Sequence, residues 1–139
     1  EIAVLDAGVI QGWSRSIGGF AAFPAERPRG IGTVAVCRFF STKVDSHFFT
    51  ADPAECEAVI AKWPDVWLLE TRAAFWIDVP DKSTGQCSAS TQPVYRLYNN
   101  RADANHRFVT DRALRDTMVA RGWISEGYGP LGVVMCALR

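Results

Sequence analysis

The sequence predicts a mainly β fold with short helices, in which a repeated unit closes with pseudo-threefold symmetry into a β-trefoil-like arrangement. A long motif occurs twice in full and once in part. Short aromatic and β-branched runs alternate with polar turns, which is typical of strands and their connections. Three copies of a four-stranded unit close most naturally into a barrel or trefoil, because closure removes exposed sheet edges. An open array of ββαββ units is the alternative.

The repeat is recognised from the order and spacing of its distinctive residues. The first full copy contains the segments CRFF (37–40), SHFFT (46–50) and WLLE (67–70). The second full copy contains the segments YRLY (95–98), NHRFVTD (105–111) and WISEG (123–127). His106 follows His47 by 59 residues, and Trp123 follows Trp67 by 56. Such a period indicates copies of one supersecondary unit, so any function is expected to be repeated as well.

The whole chain, 1–139, is predicted to be a single repeat domain, since its length is that of one domain. Its parts are a partial unit at 1–34, a first full unit at 35–80 and a second full unit at 87–139. Trp13 precedes Trp67 by 54 residues, so the N-terminal segment matches the back half of a unit. We therefore expect the chain to begin inside a unit, as an excised or processed domain would.

Each full unit is predicted to form two strands, a short helix and two more strands. The first strands, at 36–40 and 94–98, are β-branched and aromatic runs followed by polar turns. The second strands return at 47–50 and 106–109. The remaining strands are one that carries the tryptophan of each unit and a last strand at 74–77 or 133–136.

The helix of each unit has signals for its start and its end. Asp52 is a candidate N-cap, Pro53 suits the first helical position, and Glu55 stands where a capping box places its glutamate. Asp111 offers an equivalent cap in the second unit. Pro64 is expected to end the first helix after about ten residues, because proline breaks a helix interior.

Composition argues against several classes of partner and chemistry. The charges of fifteen acidic and fifteen basic residues cancel. The net charge therefore does not favour binding to nucleic acid or to an anionic membrane. No apolar run reaches the ~18–20 residues of a transmembrane helix, so no membrane span is expected. No phosphate-binding, dinucleotide-binding or nucleophile-elbow motif occurs in the sequence. We therefore predict no catalytic residues, no cofactor and no metal ligands.

Four cysteines without a C-x-x-C pair argue against a zinc ribbon or a redox dithiol. An even count in a neutral, tryptophan-rich chain favours two disulfides and an oxidising compartment. Four buried free thiols are the alternative. Four cysteines permit three connectivities, and the repeat favours Cys37–Cys56 within the first unit and Cys87–Cys136 around the second.

The pattern Trp-x-x-Glu is the best candidate for a binding site, and it occurs at Trp67–Glu70 and Trp123–Glu126. An exposed indole offers a flat apolar platform and a nearby carboxylate accepts hydrogen bonds from hydroxyls, a combination that suits sugar rings. In an extended strand, residues three apart point to opposite faces unless a bulge intervenes. The alternative is a core tryptophan with a glutamate that lies on the surface or pairs with an arginine.

The partial unit keeps the tryptophan of this pattern and loses the glutamate. Trp13 is followed by Ser16 at the position of the glutamate, so a site in this unit is expected to be weak.

Histidine and arginine also recur at equivalent positions of the two units. His47 and His106 lie too far apart in sequence to indicate a shared metal site, and each is expected to hydrogen-bond within its own hairpin. Arg38 and Arg96 are flanked by aromatic residues, so we expect them to stack on a ring or to brace a carboxylate of the unit.

Several segments resemble a repeat that is found in secreted bacterial proteins and is catalogued as having unknown function. These segments are RFF (38–40), SHFFTADPAEC (46–56), PVYRLYNN (93–100), NHRF (105–108) and GWISEG (122–127). They are similar to the consensus elements Y-R-x-Y-N, H-F-Y-T and W-x-x-E-G. The resemblance covers nearly the whole chain.

The chain is also similar to β-trefoil carbohydrate-binding modules that have three sites, each with a tryptophan and a glutamate that hold β-glucans. This resemblance implies one site at Trp67 and Glu70, another at Trp123 and Glu126, and a third at Trp13. Such modules are usually appended to secreted hydrolases. The resemblance therefore implies secretion from a bacterium and a catalytic domain elsewhere in the parent protein.

The expected function is therefore a non-catalytic, multivalent glycan-binding module whose partner is a carbohydrate polymer or oligosaccharide. Weak sites that act together give avidity on a polymer without tight binding at any one of them. One alternative is a structural or protein-interaction module in which the aromatic residues are core. A small secreted hydrolase is a further alternative.

Overall fold

A computed structural model describes residues 19–23 and 32–139. Its elements in chain order are β1 (Val34–Ala35), β2 (Cys37–Ser41), β3 (Ser46–Thr50), α1 (Pro53–Lys62), β4 (Leu68–Thr71), β5 (Trp76–Ile77), β6 (Thr91–Tyr98), β7 (His106–Val109), α2 (Arg112–Ala120), β8 (Ile124–Glu126) and β9 (Val133–Leu138). The described chain is thus mainly β with two short helices, as the sequence predicts. The partial-unit residues Trp13 and Ser16 lie outside the described residues.

The strands form small antiparallel sheets, and none of them closes within 19–23 and 32–139. The first unit holds the order β3-β2-β4, and β1 pairs with β5. The second unit holds the order β7-β6-β8, with β9 paired to the N-terminal half of β6. The predicted trefoil-like closure is therefore not observed in this part of the chain, and it stays a prediction.

Two elements differ from the sequence prediction because of their long-range partners. The strand predicted at 94–98 begins earlier, at Thr91, because β9 pairs with Thr91 through Tyr95 of β6. The last strand of the first unit shrinks from 74–77 to Trp76–Ile77, because its partner β1 has only two residues.

Both helices begin at the predicted caps. The Asp52 side chain accepts a hydrogen bond from the Ala54 N–H, Pro53 is the first residue of α1, and Asp111 caps α2 in the same manner. The capping box predicted with Glu55 does not form. The Asp52 backbone N–H instead donates to Thr50 Oγ1, which leaves the Glu55 carboxylate free for another partner.

The core of the described residues consists of two clusters. One contains Val36, Ile77, Val94 and Met135, so it joins strands of both repeat units. The other lies under α1 and contains Cys37, Phe39, Phe48, Cys56 and Val59. Burial of these apolar side chains is the main favourable contribution to folding.

Both predicted disulfides are present. Cys37–Cys56 joins β2 to α1, and Cys87–Cys136 joins the segment before β6 to β9. Among the described residues, no helix is long and apolar enough to cross a membrane.

Candidate ligand-binding cleft between the two repeat units

One face of the second-unit sheet carries the residues that recur in the repeat. Arg96 of β6 lies opposite Glu126 of β8, and Tyr98 lies opposite His106 of β7. Arg96 and Tyr98 are two apart on one strand, and side chains at that spacing share a face of a sheet. The pairing register therefore brings all four side chains together.

Arg96 is the centre of an ion cluster that links the two units. Its Nε lies 2.8 Å from Glu126 Oε2, and its terminal nitrogens donate to both oxygens of Glu55 on α1, at 2.8 and 2.7 Å. His106 Nε2 lies 3.4 Å from the same Glu126 oxygen. The Arg96 guanidinium also lies over the Phe48 ring, 4.9 Å from its centroid. The prediction that Arg96 stacks on a ring or braces a carboxylate is confirmed.

The carboxylate of Glu126 stays ionised in this environment. Burial acts to raise its pKa, but the hydrogen bond with His106 and the charge of Arg96 outweigh burial, and the pKa lies below the ordinary value. Burial likewise acts to lower the pKa of Arg96, but hydrogen bonding and charge from Glu55 and Glu126 raise it. Arg96 and Glu126 are therefore both charged at neutral pH.

A pH titration checks this description of Glu126. A folded-state pKa below the unfolded value contributes stability that is present above the unfolded pKa and is lost as the pH falls through the folded pKa. We expect the difference in unfolding free energy between wild type and Glu126→Gln to persist down to the ordinary glutamate value of 4.5 and to shrink only below it. Urea unfolding at a series of pH values measures that difference. A difference that has already halved at a pH well above this value would contradict the lowered pKa.

A cleft of about 490 Å³ lies between α1 and this face of the second unit. Its aromatic walls are Phe48, Trp63, Trp67, Tyr98 and His106. The carboxylates of Glu55 and Glu126 also line it, and Lys62 adds a cation. The volume is within the usual range for small-molecule pockets, about 300–1,000 Å³.

The structure brings Trp67 together with the glutamate of the next unit. Trp67 and Glu126 line the same cleft. The Trp67 ring centroid lies 5.9 Å from that of Phe48 and 6.4 Å from that of His106. The indole is half-buried, and it packs against the core cluster under α1. Residues of one unit thus complete the site of the following unit.

Glu70 occupies a different environment from Trp67 of its own unit. Its Oε2 lies 2.7 Å from Arg38 Nε and 3.2 Å from His47 Nε2. A register shift between β2 and β4 occurs at this point, where Arg38 faces Thr71 and Phe39 faces Leu69. Glu70 is therefore the extra residue of a bulge, and the bulge directs it to the arginine and histidine.

The two units thus share an Arg–His–Glu arrangement but differ in how they cover it. The side chains of Arg96 and His106 are 7% and 11% exposed, against 42% and 45% for Arg38 and His47. Helix α1 and Trp67 lie over the second-unit face, which accounts for the deeper burial of Arg96 and His106.

Trp123 does not line the cleft. It is half-buried, and its backbone N–H donates to the Met118 carbonyl at the end of α2. Trp13 lies outside the described residues. No cluster of three or more metal-ligating side chains occurs in the part of the chain that the structure describes.

The sequence prediction assigns no binding role to several residues of the cleft, and Glu55 and Trp63 are the most important of these. The sequence predicts Glu55 only as a helix-capping residue and predicts no role for Trp63. The sequence contains no signal for Trp63, because Pro64 directly after it predicts the end of the helix and not a shared helical face with Trp67.

Comparison with known proteins identifies a family without an assigned function. Residues 4–133 match the family model described as a domain of unknown function (DUF5648). No curated protein and no solved structure matches the chain significantly. The match spans most of the sequence, and the chain belongs to the family of the domain of unknown function DUF5648.

Proposed function

We propose that the chain is a non-catalytic glycan-binding module that binds a β-glucan-type polysaccharide in the cleft between its two repeat units. The observation that carries the proposal is the lining of that cleft, which combines aromatic rings from both units with the carboxylates of Glu55 and Glu126. Sugar rings bind through an apolar C–H face and a rim of hydroxyl donors. Aromatic walls and carboxylate acceptors are complementary to these two features.

The electrostatics of the cleft favour binding over hydrolysis. The convergence of His106, Glu55 and Glu126 also suggests a small glycoside hydrolase. Two-carboxylate hydrolysis requires one carboxyl group that is protonated near neutral pH and therefore has a raised pKa. The pKa of Glu126 is lowered, and both oxygens of Glu55 accept hydrogen bonds from Arg96. Neither glutamate is thus placed as the general acid.

The same proposal includes three further points: the module has more than one binding site, a third unit completes a trefoil-like arrangement, and the protein is secreted. The Arg–His–Glu arrangement occurs in both described units, and the first unit presents it more openly. Trp123 would serve a further site, and Trp13 a weak one. Two disulfides suit an extracellular module attached to a secreted bacterial enzyme.

Affinity electrophoresis through gels that contain soluble β-glucans tests the proposal. Wild-type protein should be retarded, and Trp67→Ala and Glu126→Gln should each abolish most of the retardation. Glu57→Gln is a matched control, because Glu57 lies on the same helix as Glu55 but pairs with Arg72 at the surface. Retardation of wild type by none of the glycans would contradict glycan binding and leave a structural or protein-interaction module.

The Glu70→Gln variant tests how the site is assembled. If the tryptophan acts with the glutamate of the next unit, Glu126→Gln weakens binding at the Trp67 cleft much more than Glu70→Gln does. The opposite ranking would support the pairing within one unit that the sequence predicts.

A further inference from the structure

We propose that Trp63 is the platform on which a sugar ring of the ligand stacks, whereas Trp67 mainly forms the wall behind it. This inference rests on the proposed function. It adds a binding residue that the repeat pattern does not contain, and it specifies the kind of ring that the cleft accepts.

The two indoles of the cleft differ in how much of their surface packs against other residues of the protein. Trp67 contacts the rings of Phe48 and His106 and packs on the core cluster under α1. Trp63 lines the same cleft but is 49% exposed. It is the one aromatic side chain among the exposed large hydrophobic residues of 19–23 and 32–139. An indole that faces both the cleft and solvent has a surface on which a ligand ring can stack.

The backbone around Trp63 is held in place before any ligand binds. The Trp63 N–H donates to the Val59 carbonyl at 3.1 Å, as the last bond of α1. The Trp63 carbonyl accepts from the N–H groups of Val66 and Trp67, at 3.0 and 2.9 Å. This closed turn places the two tryptophans on the same cleft. A side chain on such a fixed backbone loses little conformational entropy on binding.

The groups beside Trp63 specify the ligand class. The carboxylates of Glu55 and Glu126 accept hydrogen bonds, so they suit ligand hydroxyls at the edge of a ring. Stacking on an indole requires a ring face without projecting polar groups. A β-linked glucopyranose ring has its hydroxyls in the ring plane and two such faces. A galacto-configured ring carries an axial hydroxyl on one face and can stack only by the other. We therefore infer that the cleft prefers gluco-configured rings, which can stack by either face, to galacto-configured ones.

Titration calorimetry with cellohexaose, laminarihexaose and a β-1,4-galacto-oligosaccharide tests this inference. Trp63→Ala is expected to raise the dissociation constant for the gluco-oligosaccharides about tenfold or more, in line with the loss of an aromatic stacking contact. Trp63→Phe should recover part of the affinity. The melting temperature of both variants should stay close to that of wild type, because the indole is half exposed. Trp67→Ala should lower both affinity and melting temperature.

One control variant and a comparison among the cleft variants separate this inference from the proposed function. Leu114→Ala removes an exposed apolar side chain from α2, outside the cleft, and should leave affinity unchanged. Unchanged affinity in Trp63→Ala, with binding lost in Trp67→Ala and Glu126→Gln, would overturn the role of Trp63 and leave the glycan site intact. Equal affinity for gluco- and galacto-oligosaccharides would overturn the ring preference. If wild type binds none of the three oligosaccharides, both proposals are wrong.

Discussion

Replacement of Arg96 by methionine is expected to lower the free energy of unfolding by about 3 kcal/mol. This is the lower end of the usual cost of removing one partner from a buried ion pair, because the side chains of Glu55 and Glu126 are 34% and 28% exposed. The Arg96 side chain is 7% exposed and binds Glu55 of one unit and Glu126 of the other. Methionine fills a similar volume but leaves two carboxylates without their counter-ion. The stability loss should appear in urea unfolding at neutral pH.

The first unit supplies a matched control for this prediction. Arg38→Met removes the equivalent arginine, but the Arg38 side chain is 42% exposed, against 7% for Arg96. Exposed ion pairs contribute about 0–1 kcal/mol, so the loss should be several-fold smaller than for Arg96. In addition, the triple variant Arg96→Met, Glu55→Gln, Glu126→Gln should recover part of the stability, because it leaves no uncompensated charge. Equal losses at Arg38 and Arg96 would contradict the buried character of the cluster.

Local features of the fold were predictable from the sequence because they depend on neighbouring residues. The caps at Asp52 and Asp111 follow from residue types that accept hydrogen bonds from free helix N–H groups. The main strands follow from β-branched and aromatic runs. The repeat also predicted both disulfides, since it places Cys37 and Cys56 in one unit and Cys87 and Cys136 around the other.

The composition of the cleft was not predictable, because it depends on how one unit packs against the next. The repeat pairs Trp67 with Glu70 in sequence, but a bulge directs Glu70 to Arg38 and His47. Trp67 instead lines the cleft that also contains Glu126. Glu55 was expected to cap its own helix. Thr50 takes that hydrogen bond, and Glu55 extends to Arg96 instead. Each of these outcomes was decided by a partner that is distant in sequence or by a competing local acceptor.

Removal of the Cys87–Cys136 disulfide by a double alanine substitution is expected to cost about 4 kcal/mol for its separation of 49 residues, and removal of Cys37–Cys56 about 3 kcal/mol for a separation of 19. A crosslink stabilises mainly by restricting the unfolded chain, and a longer loop is restricted more. Thermal unfolding of the two double variants, beside wild type with and without reductant, measures both losses.

The effects of the two disulfides on ligand binding should rank in the opposite order to their effects on stability. Loss of Cys37–Cys56 should weaken binding more than loss of Cys87–Cys136. Cys37–Cys56 fixes α1 to β2. Helix α1 carries Glu55, and Trp63 is its C-cap, so loss of the disulfide allows one wall of the cleft to move relative to the other. Cys87–Cys136 fixes β9, which does not line the cleft. At a temperature where both variants are folded, β-glucan affinity should therefore fall in Cys37→Ala/Cys56→Ala and be retained in Cys87→Ala/Cys136→Ala. If affinity followed stability instead, falling more in the Cys87 and Cys136 variant, the cleft would depend on the fold as a whole and not on the position of α1.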